Sequence, residues 1–208
     1  MEQKTFALKG NIIYTKERTR FEVMEQGWLV CEEGRVRDVY SVLPEELKGI
    51  PVEDMGDRLI IPGLTDLHIH APQYTFRSLG MDMELLEWLE TNTFPEESKY
   101  KDAEYAQKAY GMFAEQLKKS ATVRACIFGT IHNEATLILM DLLEEAGLHT
   151  MVGKVNMDRN SPDYLCEPSA EASAQATREW MKAVADRKYK HTRPILTPRF
   201  TPSCTDEL

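Results

Sequence analysis

Several features are scarce in this chain of 208 residues. Cysteine occurs four times, as Cys31, Cys126, Cys166 and Cys204, and never as a Cys-x-x-Cys pair. Such spacing points to free thiols in a reducing compartment rather than to a disulfide frame or a thiolate metal site. No run of 18 apolar residues occurs, and Met1-Glu2-Gln3-Lys4 lacks the apolar core of a secretory leader. A membrane span and export are therefore not expected, and the cytoplasm is the default setting. Positive charge is in deficit, with 25 Lys and Arg against 34 Asp and Glu and a net charge of −9. That balance disfavours nucleic-acid backbones and anionic membranes as partners. What remains is 42% apolar and 28% charged, a soluble globular composition. A chain of this length can bury roughly 70% of its unfolded surface, enough for a true core.

Residues 59–73 organise the rest: Leu59-Ile60-Ile61-Pro62-Gly63-Leu64-Thr65-Asp66-Leu67-His68-Ile69-His70-Ala71-Pro72-Gln73. An apolar run enters, Pro62-Gly63 bends it, and a strand-like alternation follows. Side chains at i and i+2 share one strand face, so Asp66, His68 and His70 are expected on one side, with Leu67 and Ile69 packed behind. Pro72 then ends the strand. Two neutral imidazoles a few ångströms apart suit a borderline-soft cation such as zinc. A lone His-x-His is weak evidence, but its entry is specific. Pro62-Gly63-x-x-Asp66-x-His68-x-His70 resembles the first barrel strand of the amidohydrolase superfamily, which implies that His68 and His70 bind metal at the catalytic lip of an α/β barrel.

The flanking sequence fits that class. Stretches at 6–14, 27–31 and 35–40 read as short strands, with Glu32-Glu33-Gly34 as a turn and Pro44-Glu45-Glu46-Leu47 as one helical turn. They predict a small β domain over residues 1–58. After the His strand, a short helix is expected near 83–89. A longer one follows over 102–119, with Ala103, Ala106, Tyr110, Phe113, Ala114 and Leu117 on one stripe. Buried strands are expected at 121–130, 148–155 and 193–200. A helix capped by Asn133 presents Ala135, Ile138, Leu139, Leu142 and Ala146, and one capped by Ser169 turns Trp180, Met181 and Val184 inward. The methionines at 83, 112, 140, 151 and 181 read as core filler. Strand-then-helix repetition implies parallel pairing. Four such strands are half of a closed barrel, which takes about 250 residues by itself. Together with the resemblance, this implies an α/β fold: the N-terminal half of an amidohydrolase-type (β/α)8 TIM barrel over residues 59–208, preceded over residues 1–58 by what the resemblance implies is a partial, urease-like β-sandwich.

A narrower resemblance rests on several blocks. His68-Ile69-His70-Ala71-Pro72-Gln73-Tyr74, Leu86-Glu87-Trp88-Leu89, Thr93-Phe94-Pro95, Thr130-Ile131-His132, Val152-Gly153-Lys154-Val155 and Thr197-Pro198-Arg199-Phe200-Thr201 are similar to the guanine deaminase family. That resemblance implies one zinc ion held in part by His68 and His70, guanine and water as reactants, and a homodimer. It also implies that Gln73, Arg199 and Phe200 bind the base. An amide offers both donor and acceptor to a lactam edge. A guanidinium donates a fork to a carbonyl or ring nitrogen, and a phenyl ring stacks. By themselves, Gln73 reads as a solvated loop residue and Arg199 equally as a surface ion pair. The resemblance places the remaining parts beyond Leu208: a His with a nearby Glu on strand five, a His on strand six and an Asp on strand eight, with a third His and the Asp completing the zinc shell. No catalytic residue is therefore assigned within this chain, and the chain by itself is expected to be inactive.

Other groups weigh less. Asp66 is expected to orient a histidine or cap backbone groups. His132 reads as a supporting or a loop histidine, and His149 and His191 as solvated. Lys154 raises the possibility of a carbamylated bridge, but no lysine lies at 193–200, where the superfamily's bridging lysine is expected, so one metal is favoured. The other zinc deaminase design, His-x-Glu with a later Pro-Cys-x-x-Cys, is absent. Alternatives are a related deaminase or chlorohydrolase acting on another aminopurine, a triazine or a pyrimidine, and a non-catalytic half-barrel that associates with another chain.

Overall fold

The computed structural model describes residues 5–208. Its internal contacts divide the chain into two units, residues 1–62 and 63–208. The first holds β1 (Thr5–Glu17), β2 (Arg20–Glu32), β3 (Arg35–Tyr40) and β4 (Val52–Ile60), in one sheet ordered β3-β2-β1-β4. β1 and β2 form a hairpin of two 13-residue strands, longer than their apolar patterns because pairing continues through charged residues to Glu17 and Arg20. β4 pairs with β1 in parallel. The two-residue turn between β2 and β3 has positive φ at both Glu33 and Gly34, the geometry that suits tight hairpins. Ala7, Val30 and Leu47 form this unit's small core, with Trp28 and Tyr40 packed against it.

The second unit is built on β5 (Leu64–His70), β6 (Thr122–Phe128), β7 (His149–Gly153) and β9 (Thr192–Pro194), all parallel and in that order. Two short strands, β8 (Val155–Asn156) and β10 (Thr197–Pro198), pair beyond β7 and β9. The third and fourth expected strands are thus each interrupted. Val155 turns its N–H to Thr130 O, and Ile195 donates to Val152 O. Pro194 and Pro198 have no N–H to continue a ladder.

Between the strands run α1 (Leu85–Trp88), α2 (Phe94–Ser98), α3 (Ala103–Lys118), α4 (Asn133–Glu145) and α5 (Ala170–Arg187). The helix expected at 83–89 does not stop there. It passes through a π turn, Leu89–Thr93, into α2. Pro95 sits in the first turn of α2, where its missing N–H costs nothing, and the register change precedes it. Asp102 caps α3 by accepting from Glu104 N at 2.8 Å and Tyr105 N at 3.3 Å. Ala106, Tyr110, Phe113, Ala114 and Leu117 are buried along it as the stripe required.

Three helix expectations need correction. His132, not Asn133, is the N-cap of α4, and Asn133 Nδ2 instead donates to Ala176 O on α5. The buried face of α4 is turned to Leu139, Met140 and Leu143, leaving Ile138 and Leu142 partly buried. On α5, Trp180 and Val184 lie one turn apart in the core, while Met181 projects about 100° away and is 43% exposed. Of the five methionines, Met140 alone is fully buried. Each fully buried Leu or Met of this core contributes about 1.5–3 kcal/mol. Among the described residues no helix is long and apolar enough to cross a membrane.

Candidate active site at the ends of the parallel strands

Parallel strands aim their C-terminal ends the same way, and β5 ends in His70. The strand does not keep strict alternation. Asp66 pairs with Ala125 and Ile69 with Ile127, so three steps on β5 face two on β6, a bulge at Leu67-His68. Asp66 satisfies the bulge by accepting from His68 N at 3.1 Å, which is backbone capping. Ile69 packs against the main core, but Leu67 is 76% exposed, contrary to the expectation that both lie behind the histidines. β5 is an edge strand of its sheet, and Leu67 lies within the bulge.

The bulge still brings His68 and His70 together, ring centroids 5.0 Å apart and edge-on. Phe128, the register partner of His70 at the end of β6, fixes both: it stacks on His70 at 4.7 Å and meets His68 at 4.8 Å. His70 is neutral. Burial first, then the positive charge of Arg199 and the neighbouring His68, push its pKa down to about 3. Its Nδ1 is buried without a hydrogen-bond partner. A neutral imidazole with an orphaned nitrogen beside a second imidazole is what a metal ligand pair requires. Among the described residues no third His, Cys, Asp or Glu joins them.

A cavity of about 630 Å³ opens beside the pair, and its wall includes His68, His70, Gln73, Trp88, Arg199 and Phe200. Gln73 lies on the 3-10 turn Ala71–Phe76 that follows β5. Tyr100 Oη braces that turn by donating to Pro72 O at 3.3 Å. Arg199, just past β10, is not the surface ion pair that its sequence context allowed. It is buried, and its Nη1 donates to Glu97 Oε2 at 2.5 Å while its Cζ lies 5.5 Å from the Phe94 ring. Phe200 stands next to it, 37% exposed. All five residues singled out from the sequence therefore border one cavity.

The remaining histidines and Lys154 lie elsewhere. His132 is the α4 cap, its Nε2 buried and its pKa lowered, chiefly by burial. His149 and His191 meet edge-on, ring centroids 5.1 Å apart, at the opposite end of the sheet. His149 is exposed, but His191 is half-buried rather than solvated, and Glu144 accepts from its backbone N–H at 2.9 Å. Lys154 is buried and donates to Glu167 Oε1 at 2.5 Å. Phe128, Glu96 and Glu97 were not legible as site residues. Only the position of Phe128 at a strand end, across from the second histidine, was a signal.

Comparison with known proteins gives a consistent likeness. Residues 59–208 match the model of the amidohydrolase family. The chain is 36% identical over 217 residues to a guanine deaminase of Dictyostelium discoideum, across 96% of this chain and 48% of that protein. It is 42% identical over 153 residues to a probable guanine deaminase of Schizosaccharomyces pombe, across 73% and 29%. Among solved structures it matches the guanine deaminase from C. acetobutylicum with bound guanine in the active site. That match has a TM-score of 0.90 and 43% identity, and covers 98% of this chain and 48% of that one. The chain spans about half the length of these proteins, or less.

Proposed function

Since the chain belongs to the amidohydrolase family, we propose that its histidine pair and cavity are part of an enzyme that hydrolyses guanine to xanthine and ammonia. One observation carries this: two adjacent imidazoles at a strand end share a cavity wall with an amide, a guanidinium and a phenyl ring. His68 and His70 would hold zinc, whose chemistry is to lower the pKa of water towards about 7. Gln73 presents a donor and an acceptor to the lactam edge of the base. Arg199 donates to its carbonyl or a ring nitrogen, and Phe200 covers its face. At the reacting carbon a bond to water oxygen forms and the bond to the exocyclic nitrogen breaks, releasing ammonia. The remaining ligands and the carboxylate that moves the proton come, in this reading, from residues outside this sequence. A cytoplasmic setting, a role in purine breakdown and a homodimer belong to the same proposal, as does the assignment of the first unit to part of a small β-sandwich.

The test is ammonia release from guanine by the complete protein loaded with zinc. Stoichiometric xanthine and ammonia support the proposal, and no ammonia from a zinc-loaded, folded sample overturns it.

A further inference from the structure

Two adjacent carboxylates on α2 reach in different directions, to the two segments that carry Gln73 and Arg199. Glu97, 1% exposed, accepts from Arg199 Nη1, and its other oxygen has no partner. Its hydrogen bonding is thus spent on that one guanidinium. Glu96, 8% exposed, accepts from Thr75 Oγ1 at 2.6 Å and from Lys99 Nζ at 2.6 Å, and is also bonded by Tyr105 Oη. Thr75 stands two residues from Gln73 on the same 3-10 turn. Neither carboxylate lines the cavity.

A buried carboxylate is costly and persists only where its partners justify it. Here the partners sit on separate elements, the turn after β5 and the segment after β10, and one five-residue helix fixes both. A guanidinium is planar, so one charge-assisted bond at Nη1 and the Phe94 ring beside Cζ set its plane and leave its other N–H groups for the cavity. We propose that Glu96 and Glu97 are positioning residues for base recognition: Glu97 aims Arg199 into the cavity, and Glu96 locks the turn that presents Gln73. Holding both groups before the base arrives removes the ordering cost from binding. This rests on the deaminase reading of the site, with Arg199 and Gln73 addressing the lactam carbonyl edge of guanine.

The experiment compares guanine with 2-aminopurine, which keeps the amino group to be hydrolysed but lacks that carbonyl. In the complete protein, Glu97→Gln lowers the guanine to 2-aminopurine ratio of kcat/KM by about tenfold or more, mainly through KM for guanine. Glu97→Asp recovers part of the ratio, and Thr75→Val shifts it the same way by less. An unchanged ratio in Glu97→Gln, or an equal loss on both bases with a falling Tm, overturns the proposal. A second measurement needs no turnover: modification of Arg199 by phenylglyoxal, followed by peptide mass spectrometry, with Arg187 as the internal reference. Glu97→Gln accelerates it about tenfold, as expected when a charge-assisted bond is lost. Equal rates in the two proteins overturn the role of Glu97 even if guanine proves not to be the substrate. A wild type that hydrolyses no guanine while Arg199 is sheltered overturns the deaminase reading alone.

Discussion

His70 lies against the face of Phe128, ring centroids 4.7 Å apart with 29° between planes, and the two are register partners on β5 and β6. The contact holds one imidazole still, and the edge of the same phenyl ring holds His68. Residues that orient metal ligands typically change affinity by about 10–100-fold when replaced. Phe128→Leu keeps an apolar side chain but loses the flat surface. It should weaken zinc binding by about tenfold, and His68→Ala or His70→Ala should weaken it further still. Competition with a chromophoric chelator measures this, and equal affinity in Phe128→Leu and wild type refutes it.

Buried charge makes Lys154 sensitive. Its ammonium donates to Glu167 Oε1 and Val155 O, while Glu167 Oε2 accepts from Met157 N and Ser173 Oγ. Burial lowers the Lys154 pKa and Glu167 opposes that shift. Lys154→Met strands a buried carboxylate and should cost about 3–5 kcal/mol. The urea midpoint of the second unit reads the loss, and an unshifted midpoint contradicts it.

Close approach of strands makes Gly153 irreplaceable. A Cβ there would lie 2.2 Å from Thr197 Oγ1 and 2.7 Å from Ile195 O. Thr197 cannot swing freely, since its hydroxyl donates to Lys154 O at 2.8 Å. Gly153→Ala should destabilise by about 1–3 kcal/mol through overpacking, and Gly153→Ala with Thr197→Ala, which removes the clashing hydroxyl, should recover part of it. Thermal unfolding of the pair decides.

Acid should loosen the β9 end of the sheet. Burial opposes charge on Glu144, but backbone N–H groups of Lys190, His191 and Thr192, at 2.7–2.9 Å, hold its carboxyl below the ordinary value of 4.5. A carboxyl depressed in the fold adds stability that is complete above its unfolded pKa and is lost as pH falls through its folded one. Tm should therefore fall from about pH 4.5 downward, and Glu144→Gln should be less stable at pH 7 with a shallower acid slope. Parallel Tm curves for both proteins between pH 7 and 3 would exclude this role.

Local sequence determined a good deal. The spacing of Ala106, Tyr110, Phe113, Ala114 and Leu117 dictated α3 and its buried stripe, because a 3.6-residue period leaves one face to hide. The entry Pro62-Gly63 and the alternation to His70 marked β5 and the two imidazoles, and Pro72 marked its end. Only the tertiary structure decided the rest, because those facts depend on partners far away in the chain. A bulge set against β6 chose which residues of β5 turn outward and exposed Leu67. The pairing of Glu97 with Arg199 spans 102 positions, and no local pattern encodes a contact of that range. Periodicity reports which face is buried, whereas long-range packing selects what that face meets.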